Sequence, residues 1–507
     1  MSTAKAVVIG SGFAGLASAV RLRMKGYDVT VLEKNPDAGG RARRFVKDGL
    51  NFDAGPTVIT APYLLEELFT LARRDYRDYF QLVPVDPFYR VNFTDGKEFD
   101  FVGDEERLLA QIAQFNPQDV EGYKKLYAHA SEIFDIGYTR LADQPFFSIG
   151  DMMRVLPDML RLQNYRSAYG LVAKYLKSPH LRQVFTFEPL LVGGNPFTTS
   201  SIYLLIHVLE RKWGVHFAKG GTYSIIQGLC RLLEELGVGV HFNAEVENIE
   251  VKNGAVEAVR CKGGARFPAQ VVVANSDPTH TYLNLLDAQH LRYNTPRSVR
   301  RKKQSMSLFV AYFATNVEYP NLAHHTIVLG QRYRELLRDI FTDYHLSNDF
   351  SLYLHAPKRT DRTMYPDGVD GFYVLSPVPN KLSGVNWQEE GPVYMEKVLD
   401  HLSERLMPKL QENLRTQFYI TPDYFEKVLN SPQGTAFSIE PLLTQSAYFR
   451  YHNRSQDVGG LYFVGAGTHP GAGIPGVLNS ARLVDNLIGG VGPSPARGQE
   501  HHGELSL

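Results

Sequence analysis

The chain has 507 residues and balances 54 Lys and Arg against 54 Asp and Glu, so its formal net charge is zero. No basic surplus points to nucleic acid, and 44% hydrophobic with 21% charged residues excludes a disordered or fibrous chain. Two cysteines, Cys230 and Cys261, exclude a disulfide framework and supply no metal-site spacing, which fits a reducing, cytoplasmic setting.

The first forty-odd residues carry the densest pattern. Residues 5–9 read as a short buried strand, 13–25 as a helix with small residues Ala14, Ala17, Ser18 and Ala19, and 28–32 as a second strand. Gly10, Gly12 and Gly15 stand between the first strand and the helix. Gly10 would make the tight turn, Gly12 would let a pyrophosphate approach the backbone, and Gly15 would let helix and strand pack closely. The helix N-terminus adds unpaired N–H groups and partial positive charge. Glu33 is placed to accept from a ribose hydroxyl, and its charge disfavours an NADP 2′-phosphate. The pattern predicts a dinucleotide site. Gly39-Gly40-Arg41 brings more backbone close to it and, with Arg43, positive charge; a basic surface loop is the alternative.

Further along, residues 45–52 lead into a Gly55-Pro56 turn that Asp53 is expected to brace, and a helix begins near Pro62. Residues 88–101 read as a hairpin and 105–209 as mainly helical. Within that helical stretch Met152, Met153, Val155, Leu156, Met159 and Leu160 recur at helical spacing, interleaved with Arg154, Arg161, Arg166, Lys174, Lys177 and Arg182. A basic amphipathic stretch can lie on a membrane surface, or it can be a helical cap with a core-facing Met stripe. Periodicity alone favours the cap. Residues 215–290 return to alternating strand and helix, and 271–275 resemble a strand ending at a cofactor-facing turn. Residues 296–450 mix strands and helices. Residues 461–464 form a strand entering a loop with five glycines, followed by a helix to about 488. This second anion-binding arrangement would close on the same ligand from the other side. A disordered tail is expected over 489–507. No signal peptide is expected, because the chain enters a strand at once, and no transmembrane helix, because no run of about 18 apolar residues exists.

The G-G-R turn resembles that of the flavin-binding amine oxidase and carotenoid desaturase superfamily. From about residue 5 to 488 the chain is similar to the bacterial-type phytoene desaturases. The runs that carry this are residues 52–60, 190–197, 322–326, 350–357, 438–441 and, most specifically, 464–477. The resemblance implies an α/β fold: a Rossmann-like, amine-oxidase-like FAD-binding domain with a discontinuous α+β substrate domain and a helical, membrane-associating part. The implied division is 1–80, 215–295 and 451–488 for the FAD-binding domain, and 81–214 and 296–450 for the substrate domain. It implies FAD contacts at Gly10, Gly12, Phe13, Ala14, Gly15, Glu33, Lys34, Gly39, Gly40, Arg41, Gly55, Pro56, Thr57, Val246, Gly465, Gly467, Pro475, Gly476 and Val477.

The resemblance also implies desaturation of 15-cis-phytoene, commonly to all-trans-lycopene, at a membrane surface. The partners would be a lipid-soluble carotenoid and a terminal electron acceptor, oxygen or quinone. A C30 diapophytoene desaturase, a 3,4-desaturase, a ketolase or a polyene isomerase are alternatives. A non-catalytic carotenoid-binding protein and a soluble amine oxidase lie further off. A base in an apolar channel would have a raised pKa. Asp151 and Arg154, which share a helix face, and Glu440, in an apolar run before Pro441, are the catalytic candidates; each could instead be a structural ion pair. His324-His325 is not expected to bind metal, because adjacent side chains diverge and no third ligand is evident. His469, in the second glycine loop, is expected to contact the cofactor.

Overall fold

Residues 6–9 are apolar and mostly β-branched, which favours an extended chain buried on both faces. In the computed structural model, which describes residues 4–491, they lie in the central strand, Lys5–Ile9, of a five-stranded parallel sheet. Across the sheet the order is Leu461–Phe463, Val271–Ala274, Lys5–Ile9, Asp28–Leu32 and Gly239–His241. Its strands thus come from the beginning, middle and end of the chain. The helix after the first strand, Phe13–Met24, packs on the last one, Ile474–Leu487. Arg21 of the first helix joins them: its guanidinium lies 3.0 Å from Glu67 and 3.5 Å from Asp485. Residues 489–491 continue this tie, with the Tyr27 hydroxyl donating to the Gly489 carbonyl at 3.0 Å. The rest of the expected disordered tail, from 492, lies outside the described residues.

A second sheet has seven strands in the order Leu414–Ile420, Ser307–Thr315, Asp370–Val378, Leu352–His355, His325–Val328, Tyr89–Asn92 and Glu98–Phe101. All pairs are antiparallel except His325–Val328 with Tyr89–Asn92. Strand Ser307–Thr315 is buried at every position. Successive side chains on a strand point to opposite faces. Phe309, Ala311 and Phe313 accordingly pack in a core with helix Trp387–Arg405, while Leu308 and Val310 line an internal cavity.

The expected helical stretch is present as Glu105–Phe115, Asp119–Phe134, Ile149–Arg161, Ala168–Tyr175 and Leu205–Trp213. The Met-rich segment departs from the cap with a core face that its periodicity favours. Helix Ile149–Arg161 has no buried residue at all. Met153 is 60% exposed and Leu160 56%, and Met152, Val155 and Met159 face the cavity. A hydrophobic stripe requires an apolar neighbour, but periodicity cannot say whether protein supplies it.

Gly15 fixes the geometry of the first turn. A Cβ placed there would lie 2.0 Å from the Gly10 carbonyl oxygen, and Gly10 itself has φ +94°. Gly15→Ala is therefore expected to push helix Phe13–Met24 off its strand. The cost should be about 1–3 kcal/mol, as for other overpacked sites, and is read as a lowered thermal midpoint with reduced flavin content. An unchanged midpoint would show that the helix moves freely.

Candidate active site

Both glycine loops open on one cavity of about 560 Å³. Helix Phe13–Met24 starts at Gly12 and helix Ile474–Leu487 at Gly473, each without a side-chain cap. The first N–H groups, apart from that of Gly15 and the one Pro475 lacks, therefore remain for a ligand. Asn275, at the end of strand Val271–Ala274, joins the two loops. Its Oδ1 accepts from the Gly15 N–H at 3.1 Å and its Nδ2 donates to the Val464 carbonyl at 3.4 Å. Glu33 is buried at the same wall. One carboxylate oxygen accepts from the Ser11 N–H and hydroxyl at 2.9 and 2.7 Å, the other from the Asn35 N–H and side-chain amide at 2.9 Å each. Glu33 thus shapes the first glycine loop as well as facing the cavity.

Of the expected cofactor contacts, all but Gly15 and Gly467 line this cavity. Gly15 serves helix packing instead. Gly467 faces Pro278, where a Cβ would lie 2.4 Å from the ring. Lys34 donates to the Asn430 side chain at 2.6 Å. Arg41 donates to the Ser431 hydroxyl at 3.0 Å, yet its buried Nε has no partner, and neither has the buried Nδ2 of Asn479. Both residues line the cavity. Orphaned donors beside two uncapped helix starts fit a cofactor rich in acceptor atoms, such as FAD. Asp53 braces a different element from the one expected. Its carboxylate accepts from the Thr222 and Tyr223 N–H groups at 3.1 and 3.3 Å, at the start of helix Tyr223–Glu235. Burial pushes its pKa up to about 6.

The catalytic candidates are elsewhere. Asp151 is in a capping box: it accepts from the Ser148 N–H and hydroxyl at 2.9 Å each and from the Phe147 N–H at 3.1 Å. Those hydrogen bonds hold its pKa below the usual carboxylate value. Its partner Arg154 has an 80% exposed side chain. The spacing that puts both on one face puts that face outside. Glu440 is buried and paired with Lys303 at 2.8 Å, away from the cavity wall. Burial raises its pKa, and Lys303 opposes that rise.

His469 does line the cavity. Its Nε2 donates to the Leu141 carbonyl at 3.0 Å, and burial pushes its pKa down to about 4. His324 and His325 gain the third histidine that sequence did not reveal, because strand pairing sets His325 opposite His355. The three are buried and linked to one another and to hydroxyls. His324 Nε2 lies 3.1 Å from His355 Nε2, its Nδ1 2.6 Å from Thr360 Oγ1, and His325 Nδ1 2.7 Å from the Tyr353 hydroxyl.

Sequence reasoning missed Glu210. It lies on helix Leu205–Trp213, 1% exposed, and lines the cavity. The signal was present: Ile206 and Glu210 are four apart, so an acid shares the apolar face. Around it the wall is apolar, with Phe187, Leu209, Ile327 and Leu329 among its residues.

A cofactor loop at each end of the chain and an apolar chamber behind them have a counterpart among known proteins. The model of the flavin containing amine oxidoreductase family matches residues 13–484. The chain belongs to that family. Within it the chain groups with the phytoene desaturases. It is 49% identical to the lycopene-forming phytoene desaturase of Pseudescherichia vulneris, over 96% of this chain and 99% of that protein. It is 48% identical to the corresponding protein of Pantoea ananas, over 95% and 98%. Solved structures share the fold. An oxidoreductase from Methanosarcina mazei superposes with a TM-score of 0.66 at 16% identity, covering 95% of this chain and all of that one. A putrescine oxidase gives 0.65 at 15% identity, covering 96% and 97%. The family cofactor is FAD, and the glycine loops, Arg41 and Asn479 are residues that could hold it.

Arg41→Ala is expected to remove a charge-assisted contact worth about 1.5–3 kcal/mol, roughly ten- to a hundredfold in flavin Kd. Flavin fluorescence during titration of the apoprotein measures it. Unchanged affinity would mean that Arg41 serves only Ser431.

Proposed function

We propose that this chain is an FAD-dependent phytoene desaturase that inserts several double bonds into 15-cis-phytoene, forming all-trans-lycopene. The observation that carries this is the continuity of the cavity: glycine-lined cofactor loops and an apolar chamber share one space. Bound FAD supplies the two-electron acceptor that a hydrocarbon substrate needs. The protein's own residues do the rest. A hydrocarbon offers no polar handle, so the walls align it by burial, at about 0.8 kcal/mol per CH₂. Leu308, Val310 and Leu375 from the seven-stranded sheet and Met152, Val155 and Met159 from helix Ile149–Arg161 all line that space. Among the relatives, lycopene-forming desaturases are more similar than the 4,4'-diapophytoene desaturases, which reach 30% identity.

The same helix supports peripheral attachment to the cytoplasmic face of a membrane. Among the described residues no helix is long and apolar enough to cross one. Ile149, Met153, Leu156 and Leu160 are exposed on helix Ile149–Arg161, and Tyr165 follows it. The adjacent face of this helix lines the cavity, so a lipid-dissolved substrate would reach the chamber along its side chains. Oxygen or a membrane quinone then serves as terminal electron acceptor.

Flavin-loaded protein added to liposomes containing phytoene is expected to produce long-wavelength polyene bands only when oxygen or quinone is present. Flavin retained with no new bands would sink the assignment. Each exposed apolar side chain withdrawn from water contributes on the order of 1.5–3 kcal/mol at most. The double variant Met153→Glu with Leu160→Glu should therefore weaken vesicle co-sedimentation about tenfold or more, with its flavin spectrum unchanged. Undiminished co-sedimentation would move the membrane contact elsewhere.

A further inference from the structure

Glu210 is the one cavity-lining carboxyl, among the described residues, with a buried oxygen that lacks a hydrogen-bond partner. Its Oε1 accepts from the Tyr89 hydroxyl at 2.6 Å, leaving Oε2 free. Glu188, directly after the cavity-lining Phe187, is 0% exposed and also keeps its Oε2 unpartnered. Its Oε1 lies 3.3 Å from His207 Nδ1, and His207 Nε2 lies 3.0 Å from the Tyr123 hydroxyl. A hydrocarbon chamber needs no acid for binding, and burying two carboxyls with unpartnered oxygens is costly, which marks the pair as a functional-site candidate. The other acids on the wall are otherwise engaged: Glu33 is saturated by Ser11 and Asn35, Glu245 pairs with Lys262 at 2.8 Å, and Asp158 sits 3.6 Å from Arg161 at the half-exposed end.

We propose that Glu210 is the catalytic residue that takes up the proton released at each desaturation, with Glu188 and His207 as positioning residues that hold that proton and pass it on. The inference rests on the desaturase reading above. Each new double bond costs the substrate one hydride, for which bound FAD would be the two-electron acceptor, and one proton from the adjacent carbon. The C–H bond that yields the proton breaks heterolytically. Its electron pair becomes the π bond to the carbon that has lost hydride, and the proton bonds to Glu210 Oε2. Removal through Glu188, His207 and Tyr123 resets the acid for the next double bond.

The titratable groups facing the pair are Tyr89, Tyr123, Tyr333 and His207; Arg211 acts on His207 and Tyr123, and Tyr353 on Tyr89. Burial pushes Glu188 up to about 8. Burial and the charge of Glu188 push Glu210 well above the ordinary carboxylate value. Burial and the charge of Arg211 push His207 down to about 3, so its ring is neutral. Both carboxyls are thereby biased toward their protonated forms, and Glu210 gains base character as pH rises. Turnover should therefore climb with pH.

The test uses the FAD-loaded protein with phytoene in liposomes, and infrared spectra of the same protein without substrate. Glu210→Gln should lose roughly a hundredfold or more in kcat, the range of general acid–base catalysis. It should keep the wild-type flavin spectrum and thermal midpoint, and Glu210→Asp should recover part of the rate. Glu188→Gln should shift the kcat midpoint to lower pH with KM unchanged, since it removes a like charge, and this decides the matter if the Glu210 variant fails to fold. The protonated-carboxyl band should vanish in the Glu188→Gln, Glu210→Gln double variant. Wild-type turnover with an undiminished Glu210→Gln, or no such band in the wild type, overturns this role alone. Wild-type protein that leaves phytoene unchanged overturns the desaturase reading and this role with it.

Discussion

The amide of Asn275 ties the two ends of the chain to one another. It receives a hydrogen bond from the helix start after the first strand and gives one to the strand end before the last helix. Because its own strand lies between those two in the parallel sheet, its side chain emerges where both glycine loops turn. A ligand placed across two helix N-termini depends on their mutual position, and that position depends on this bridge and on Arg21 behind it. Glycine at 15 lets the first helix sit close enough for the bridge to form. These contacts make one site out of segments hundreds of residues apart in sequence.

Behind the loops, the seven-stranded sheet sets the character of the chamber by alternation alone. One face of Ser307–Thr315 is committed to the packed core under helix Trp387–Arg405, so the other face must look inward. Hydroxyls beside this wall are satisfied by one another in a chain. The Thr57 hydroxyl, on a cofactor loop, lies 3.0 Å from the Tyr353 hydroxyl, which lies 2.7 Å from His325. Tyr373 completes the junction, 2.5 Å from Thr57 and 3.1 Å from the Gly55 carbonyl. Such a network fixes the Gly55–Thr57 turn against the sheet without placing an unpaired polar atom against the chamber. Glu210 and its neighbours depart from that pattern, and departing from it on a wall built for hydrocarbon is why the site reads as functional there.

The amino-acid sequence by itself determined the parts whose function is local. A glycine at 10, 12 and 15 between a β-branched strand and an alanine-rich helix means the same thing in any surroundings, because the constraint is backbone room within a few residues. The second glycine loop and the hairpin over 88–101 were legible for the same reason: turn chemistry and period are short-range. Only the tertiary structure decided which faces meet. Asp151 and Arg154 share a helix face, but that face points to solvent, and Asp151 caps its own helix. Asp53 braces a helix start about 170 residues away. His355 reaches His325 by strand register, and Glu188 reaches His207 by the packing of two helical segments. Helical spacing marked the Met stripe over 152–160 as apolar, yet not what would cover it. Burial and long-range pairing depend on the whole chain's packing, and that is why the acids of the chamber could be identified only once the chamber existed.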